Sequence, residues 1–493
     1  MARIIVVSNR VAVPKSGATP AAGGLAVAVD AALKDRGGIW FGWSGRICPE
    51  PADEPQVTTK GRITYAVVDL KTEDFQEYYN GFANRVLWPV LHYRVDLAEF
   101  SRADLSGYIR VNQNFADRLE KIIRPDDILW IHDYHMMPLA KYLRARGHTN
   151  RIGFFLHIPM PPADLIAALP QHGETIGALA HFDLVGFQTE SDRDNFAQYL
   201  ATRGGVPAAD GSGCDIGGRR VRLGVFPVSI ETAAFARRAR HASRTAFVKT
   251  FRQSLAGRKL IVGVDRLDYS KGLPNRLDAY EQFLKAAPDW HQKVSYVQIT
   301  PKSRTDLPEY QQMDRDVSHR AGQINGRYAD VAWTPLLYVN RTYSRSALAG
   351  IYRAADVALV TPLRDGMNLV AKEFVAAQDP DDPGVLLLSQ FAGAASEFAG
   401  SALVVNPHDA EGVANAIRRA LEMPLAERRA RHGRMLERLE TNDINQWAAR
   451  FLAALSPETR TGRVRRTAGA APGAGPVKAG GGYQLAGVLR QMD

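Results

Sequence analysis

The strongest constraint on the fold is a recurring pattern. Short apolar, often β-branched runs stop abruptly at polar residues, and helical patterns lie between them. Ile4-Ile5-Val6-Val7 ends at Ser8-Asn9-Arg10, and Asp127-Ile128-Leu129-Trp130-Ile131 ends at His132-Asp133. The run 152–156 ends at His157, and the run 184–187 ends at Gln188-Thr189. Stretches such as 139–146 and 191–200 carry helical periodicity. Apolar runs of this length read as strands buried on both faces. Strands alternating with helices indicate βαβ units on a parallel sheet.

The pattern then restarts. The run 259–264 ends at Asp265-Arg266, 294–299 at Thr300-Pro301, 357–360 at Thr361-Pro362 and 385–388 at Ser389. The fold class is therefore α/β, with two Rossmann-like, doubly wound domains expected. The joint falls near 226–231, after the Gly-rich stretch 211–218, so residues 1–228 and 229–443 are taken as the two domains. Residues 444–456 contain a compact apolar helix around Trp447, Phe451 and Leu455. From Pro457 to Asp493 the composition turns to Gly, Ala, Pro and Arg without periodicity, which reads as a disordered tail. The length of 493 residues suits this division, at roughly 100–200 residues per domain.

Charge and cysteine content narrow the partners. The net charge is +10. Six cations of the tail (Arg460, Arg463, Arg465, Arg466, Lys478, Arg490) face only Glu458 and Asp493, so much of the excess lies outside the folded part. No basic stripe runs through the α/β series, which argues against nucleic acid as a partner. The opening apolar run is too short for a signal-peptide core, and no stretch approaches a membrane span. Cys48 and Cys214 form no C-x-x-C pair or disulfide framework. A soluble cytoplasmic protein without a membrane partner is expected.

In open α/β sheets, ligands bind beyond the carboxyl ends of the strands. The residues there are unusually polar: Arg10, Asp133, His157, Arg266, Lys271, Arg304, Asp365 and Glu373. In the stretch 360–373, a strand gives way to a loop containing Gly366 and then to a helix, an arrangement suited to an anion. Asp365 can accept sugar hydroxyls or cap the helix, and Glu373 can accept a ribose diol. Arg266 and Lys271 share one loop just before another helix, a pairing that suits a pyrophosphate; Ser270 is the alternative, purely structural, helix cap. Arg10 and the segment Lys302-Ser303-Arg304 can clamp a second anion. Gly23-Gly24 opens a helix where backbone can meet a phosphate or sugar. Tyr79 and Trp88 lie on a helical stretch and can pack against a sugar face. His132 and His135 are three apart, but spacing alone does not make a metal site. Asp379-Pro380-Asp381 matches a metal-binding D-x-D pattern, yet reads as a turn.

Taken together, these blocks resemble the trehalose-6-phosphate synthase family of retaining glucosyltransferases, nearly end to end from Arg3 to Leu455. The matching blocks include Val6-Val7-Ser8-Asn9-Arg10-Val11, Ala22-Gly23-Gly24-Leu25-Ala26, Trp40-Phe41-Gly42-Trp43-Ser44-Gly45 and Tyr78-Tyr79-Asn80-Gly81-Phe82. They continue through Trp130-Ile131-His132-Asp133-Tyr134-His135, Arg266-Leu267-Asp268-Tyr269-Ser270-Lys271-Gly272 and the loop 364–373. The resemblance implies a GT-B fold, with the two domains facing across a cleft and helix 444–456 crossing back to the first. It implies glucose transfer, with retention, from a nucleotide-glucose to glucose-6-phosphate, with no metal and no cofactor. UDP-glucose is the expected donor, with GDP- and ADP-glucose left open.

By matched position, the resemblance puts Arg266, Lys271 and the Gly23-Gly24 backbone at the donor diphosphate and Glu373 at the ribose. Leu369 and Val370 supply backbone contacts, and Tyr343 lies near the base. His157, Asp365, Gly366, Met367 and Asn368 surround the donor glucose. Arg10 and Arg304 bind the acceptor phosphate; Tyr79, Trp88 and Asp133 contact the acceptor. The set around the reacting centre is Asp133, His157, Arg266, Lys271 and Asp365. A homo-oligomer is compatible with the resemblance. Ser229 stands where the family usually has glycine, at the expected hinge. No phosphatase-type D-x-D-x-T motif follows. A related transferase with another acceptor, such as glycerol-3-phosphate, is the alternative. A silent sugar-phosphate sensor is the remote one, since it should have lost a residue such as Arg266, Lys271 or Asp365.

Overall fold

Every apolar run named above forms a strand. In the computed structural model, which describes residues 2–14, 29–30, 32–34, 36–303 and 308–456, the strands build two sheets. The first holds β1 (Ile4–Arg10), β2 (Gly38–Ile47), β3 (Gln56–Lys60), β4 (Ile63–Leu70), β5 (Ile128–His132), β6 (Arg151–Phe155), β7 (Leu184–Phe187), β8 (Val206–Pro207), β9 (Gly213–Ile216) and β10 (Arg219–Val225). Their order is β3-β4-β2-β1-β5-β6-β7-β10-β9-β8, parallel from β4 to β10 and antiparallel where β3, β9 and β8 join. The second holds β11 (Lys259–Val264), β12 (Val294–Ile299), β13 (Leu336–Val339), β14 (Val357–Val360), β15 (Val385–Ser389) and β16 (Leu403–Val405). It is wholly parallel, in the order β13-β12-β11-β14-β15-β16. Helices cover both faces, and β12, β14 and β15 are buried at every position, as their unbroken apolar runs require.

The order of each sheet reverses at one place, between β1 and β5 in the first and between β11 and β14 in the second. Crevices for ligands open at such switch points. Arg10 ends β1 and His132 ends β5. The loops after β11 and β14 carry Arg266 with Lys271, and Asp365 with Gly366.

β2 and β4 were not among the expected strands. Three glycines break the apolar pattern of β2, but Gly42 serves close packing rather than a turn. A Cβ there would lie 2.0 Å from the Ser8 carbonyl oxygen. Tyr79 does lie on a helix, but that helix, Phe75–Leu87, is of the wider π type. Gly81 and Gly107 let this helix lie against Arg102–Glu120, since a Cβ on Gly81 would meet Asp104 at 2.4 Å and one on Gly107 would meet Glu77 at 2.3 Å.

The helix Ile444–Leu455 crosses back to the first sheet as expected. Ile444, Trp447, Ala448, Phe451, Leu452 and Leu455 are buried at helical spacing, and Asp443 caps its start through the Gln446 N–H. Phe451 stacks on Trp130 of β5 with ring centroids 4.8 Å apart. Gly153 and Gly186 admit it: a Cβ on either would fall within 2.9 Å of the Phe451 ring.

The expected joint, 228/229, lies in the connection between β10 and the helix Thr232–Ala242. Buried Lys372 donates to the Val228 carbonyl at 2.8 Å and pairs with buried Glu397. Gln188 accepts from the Val228 N–H at 3.0 Å. Ser229 is 2% exposed, its hydroxyl has no hydrogen-bond partner, and its φ is not positive, so the backbone does not demand glycine there. Gly23, Gly24, Arg304 and the tail from Pro457 lie outside the described residues.

Truncating Phe451 to alanine is expected to cost about 3–5 kcal/mol of stability, because its fully buried ring fills space that two glycines have cleared. Urea unfolding of F451A checks this; a loss below about 1 kcal/mol would mean the crossing helix is not anchored by this ring.

Candidate functional site

The two loops of the second sheet are joined through one buried side chain. Arg276, 1% exposed, lies on the inner face of the helix Leu273–Ala286. Its guanidinium donates to Asp265 Oδ2 at 2.6 Å and Gln298 Oε1 at 3.1 Å, at the ends of β11 and β12. It also donates to Thr361 Oγ1 at 2.8 Å, just past β14, and to the Lys271 carbonyl at 3.3 Å. The Ser270 carbonyl accepts from the N–H groups of Leu363 and Arg364, tying the loops backbone to backbone. Sequence reading missed Arg276, Asp265, Gln298 and Thr361. The available signal was a charged residue at a core position of a helix whose buried residues recur at 273, 276, 277, 280, 283 and 284.

Lys271 and Asp365 meet in this frame, with Nζ and Oδ2 2.5 Å apart and both side chains largely buried. Asp365 also accepts from the Gly366 N–H and from the Asn368 amide, each at 3.0 Å. It is therefore not the cap of the following helix, one of the readings open from the sequence. Asn368 is, with φ +70° and its side chain accepting from the Ala371 N–H at 3.4 Å. The N–H groups of Leu369 and Val370, at the start of Leu369–Ala377, are those a helix leaves without an intrahelical partner. Likewise Ser270 is not the cap of its helix: Asp268 accepts from the Ser270 N–H, and Gly272, at φ +63°, leads into Leu273–Ala286. Met367 is buried beneath this loop, and its carbonyl accepts from the Ala394 N–H.

Residues from the first sheet close on this loop. A Cβ on Gly366 would lie 2.0 Å from the His157 carbonyl oxygen, so only glycine allows the two backbones to touch. Asp133, at φ +73°, accepts from the His157 N–H at 3.3 Å. A non-glycine residue in this region is strained, and such strain collects at functional sites. Arg364 stacks over Tyr93 at 4.0 Å, from second sheet to first.

A row of aromatic rings links two of the predicted cations. Arg10, exposed at the end of β1, lies 5.8 Å from the Trp43 ring. Trp43 contacts Tyr79 at 5.8 Å, Tyr79 stacks on His135 at 5.9 Å, and His135 contacts Tyr134 at 4.0 Å. Tyr134 contacts Trp88 at 5.8 Å, and Arg266 lies 5.8 Å over Trp88. His135 thus belongs to the row, while His132 points into the core beside Trp130 and Trp447. Among the described residues, no group of three or more His, Cys, Asp or Glu is arranged to hold a metal. Asp379 pairs with Arg353 and accepts from the Asp381 N–H, as in a turn.

Glu373 and Tyr343 stand at another edge. Tyr343 is half-buried, 6.0 Å from the Phe247 ring. Glu373 lies 3.7 Å from Arg345. Burial pushes its carboxyl up to about 7, with Arg345 opposing part of the shift.

Residues 3–457 match glycosyltransferase family 20. The chain is 53% identical over 458 residues to a trehalose-6-phosphate synthase of Sinorhizobium fredii, covering 92% of this chain and 98% of that protein. Among solved structures, an alpha,alpha-trehalose-phosphate synthase (UDP-forming) from Burkholderia xenovorans, in complex with glucose-6-phosphate, is 48% identical with a TM-score of 0.88. That likeness covers 92% of this chain and 100% of the other. A structure from E. coli bound with UDP-2-fluoro glucose is 47% identical, with a TM-score of 0.87 over 92% of this chain and 99% of the other.

Two outcomes follow from the geometry. Gly366→Ala is expected to lower stability by about 1–3 kcal/mol through a backbone clash, while Gly322→Ala, in open space on a helix, should gain about 0.5–1 kcal/mol. Urea unfolding that gave both variants the same sign would overturn the close approach. For Glu373, the folded protein holds the proton more tightly than the unfolded chain. Ionisation therefore opposes folding: the penalty is absent below pH 4.5, grows with pH and is complete above about 7. Relative to the parent, Glu373→Gln should gain stability between pH 5 and pH 8; a flat difference across that range would contradict the assignment.

Proposed function

The chain belongs to glycosyltransferase family 20, and from that premise we propose how its residues carry out the transfer. It moves glucose from UDP-glucose to glucose-6-phosphate, giving trehalose-6-phosphate and UDP. The observation that carries the site reading is the aromatic row with a cation at each end, Arg10 and Arg266, which suits two anionic substrates lying side by side.

On this reading Arg266, Lys271 and the Gly23-Gly24 backbone hold the donor diphosphate. The N–H groups of Leu369 and Val370 add the partial positive charge of a helix start. Glu373 receives the ribose hydroxyls, Tyr343 lies by the base, and His157, Asp365, Gly366, Met367 and Asn368 enclose the glucose. Arg10 and Arg304 hold the acceptor phosphate; Tyr79, Trp88 and Asp133 hold its sugar. The bond from the anomeric carbon to the diphosphate oxygen breaks, and negative charge develops on that oxygen beside Arg266 and Lys271. The acceptor hydroxyl attacks from the same face, so configuration is retained, and its proton passes to the departing oxygen. Lys271 meets Asp365 at 2.5 Å, so the diphosphate and that carboxylate compete for one ammonium, which couples donor binding to the orientation of Asp365.

Residues 1–228 with the crossing helix form the acceptor side and residues 229–443 the donor side. The hinge lies at 226–231, where Lys372 and Gln188 hold Val228. A cytoplasmic location is part of this reading, supported by the unpaired cysteines Cys48 and Cys214. No helix among the described residues is long and apolar enough to cross a membrane.

Lys271→Ala is expected to raise KM for UDP-glucose about 10–100-fold and to leave KM for glucose-6-phosphate within a few-fold; Arg10→Ala should do the reverse. Steady-state release of UDP measures both, and a swapped pattern would refute the assignment. UDP release with glycerol-3-phosphate, and none with glucose-6-phosphate, would overturn the acceptor.

A further inference from the structure

One buried side chain in contact with His157 carries none of the roles proposed for the transfer. His132, the last residue of β5, is fully buried among aromatic rings, with Trp130 at 4.6 Å, Phe155 at 6.4 Å and Trp447 at 6.3 Å between centroids. Its Nδ1 lies 3.0 Å from Nε2 of His157. Burial holds both rings neutral: His157 is pushed down to about 3, and His132 well below its ordinary value. Two neutral imidazoles share one proton in such a contact, so only two arrangements exist.

In the first arrangement His132 donates from Nδ1–H, His157 accepts at Nε2, and His157 carries its own proton on Nδ1. In the second, His157 donates from Nε2–H and His132 carries its proton on Nε2. The two differ in what they leave at His132 Nε2, which is buried without a hydrogen-bond partner. The second leaves an orphaned N–H there, and the first only a lone pair. Orphaned buried N–H groups are the rarer of the two. The neighbouring Trp130 adds a second reason. Its indole Nε1, always a donor, is also buried without a partner. A proton on His132 Nε2 would set two unpaired donors in adjoining rings, whereas a lone pair sets an acceptor beside a donor.

We propose that His132 is a positioning residue that locks His157 in its Nδ1–H tautomer, so that His157 offers a hydrogen-bond donor, not an acceptor, to a hydroxyl oxygen of the transferred glucose. The second half rests on the function proposed above; the lock itself does not. Trp447 of the crossing helix packs against both rings, 6.3 Å from His132 and 6.2 Å from His157, so the helix from the far end of the chain backs the pair.

The test uses the full-length protein labelled with 15N-histidine. Two-bond 1H–15N correlation at neutral pH separates the tautomers, and Nδ1–H is expected at His157, assigned by its loss in His157→Gln. His132→Phe keeps an aromatic ring but removes the donor, so His157 should shift to Nε2–H and kcat should fall about tenfold or more. His132→Asn, whose amide N–H can stand in for Nδ1–H, should restore the tautomer and much of the rate. Nε2–H at His157 in the parent would overturn the lock, as would an unchanged tautomer in His132→Phe, whatever the protein transfers. A switched tautomer with unchanged kcat on UDP-glucose would overturn the donor role of His157 and leave the lock standing. If His132→Phe does not fold, the parent spectrum and His132→Asn decide the matter.

Discussion

The Arg276 guanidinium is the interaction on which the loops after β11 and β14 depend. It is buried, charged and bonded at once to Asp265, Gln298, Thr361 and the Lys271 carbonyl. Those partners come from the ends of three adjacent strands and from the loop that carries Lys271. Taking such a charge out of water is costly, and a buried ion pair adds little net stability. Its effect is geometric. Removing one partner leaves an uncompensated buried charge, at about 3–5 kcal/mol, so the strand ends and the loop stay in one arrangement. Lys271 and Asp365, less than four-tenths of a nanometre apart at 2.5 Å, inherit that arrangement.

Backbone contact across the two sheets depends on the same frame. Gly366 lies against the His157 carbonyl, and Gly393 lies against the Gly366 carbonyl, where a Cβ would be 1.9 Å away. Three backbone segments are therefore stacked without intervening side chains. Gln188 extends the stack, donating to the His157 carbonyl at 3.3 Å and accepting from the Val228 N–H. The connection between the two α/β halves is thus hydrogen-bonded, through one glutamine, to the residue that lies against Gly366. Changes in the Val228 segment and in the Gly366 loop have a short physical route between them.

The site was legible in the sequence to the extent that its residues end strands. His157, Arg266, Lys271 and Asp365 follow apolar runs, and the parallel order puts all such ends at one edge of a sheet. The sequence left Asp365 and Ser270 open as helix caps beside their ligand readings; Asn368 and the Asp268–Gly272 turn take that work instead. The π-helix at 75–87 was read only as helical, because a one-residue widening of each turn changes no residue type. β2 was missed because its glycines resemble punctuation until Ser8 of β1 is known to lie beside Gly42.

The sequence by itself determined the two α/β series, the strand ends and the residues that carry charge to them, since apolar periodicity and residue chemistry are local properties. Tertiary structure alone decided which of those charges are bound to one another. It also decided which glycines are contacts rather than turns, and that His132 faces His157 rather than His135. Those outcomes depend on atoms brought within 3 or 4 Å from positions such as Lys271 and Asp365, or Gln188 and Val228. No spacing along a chain encodes a distance of that kind; only packing of the whole core does.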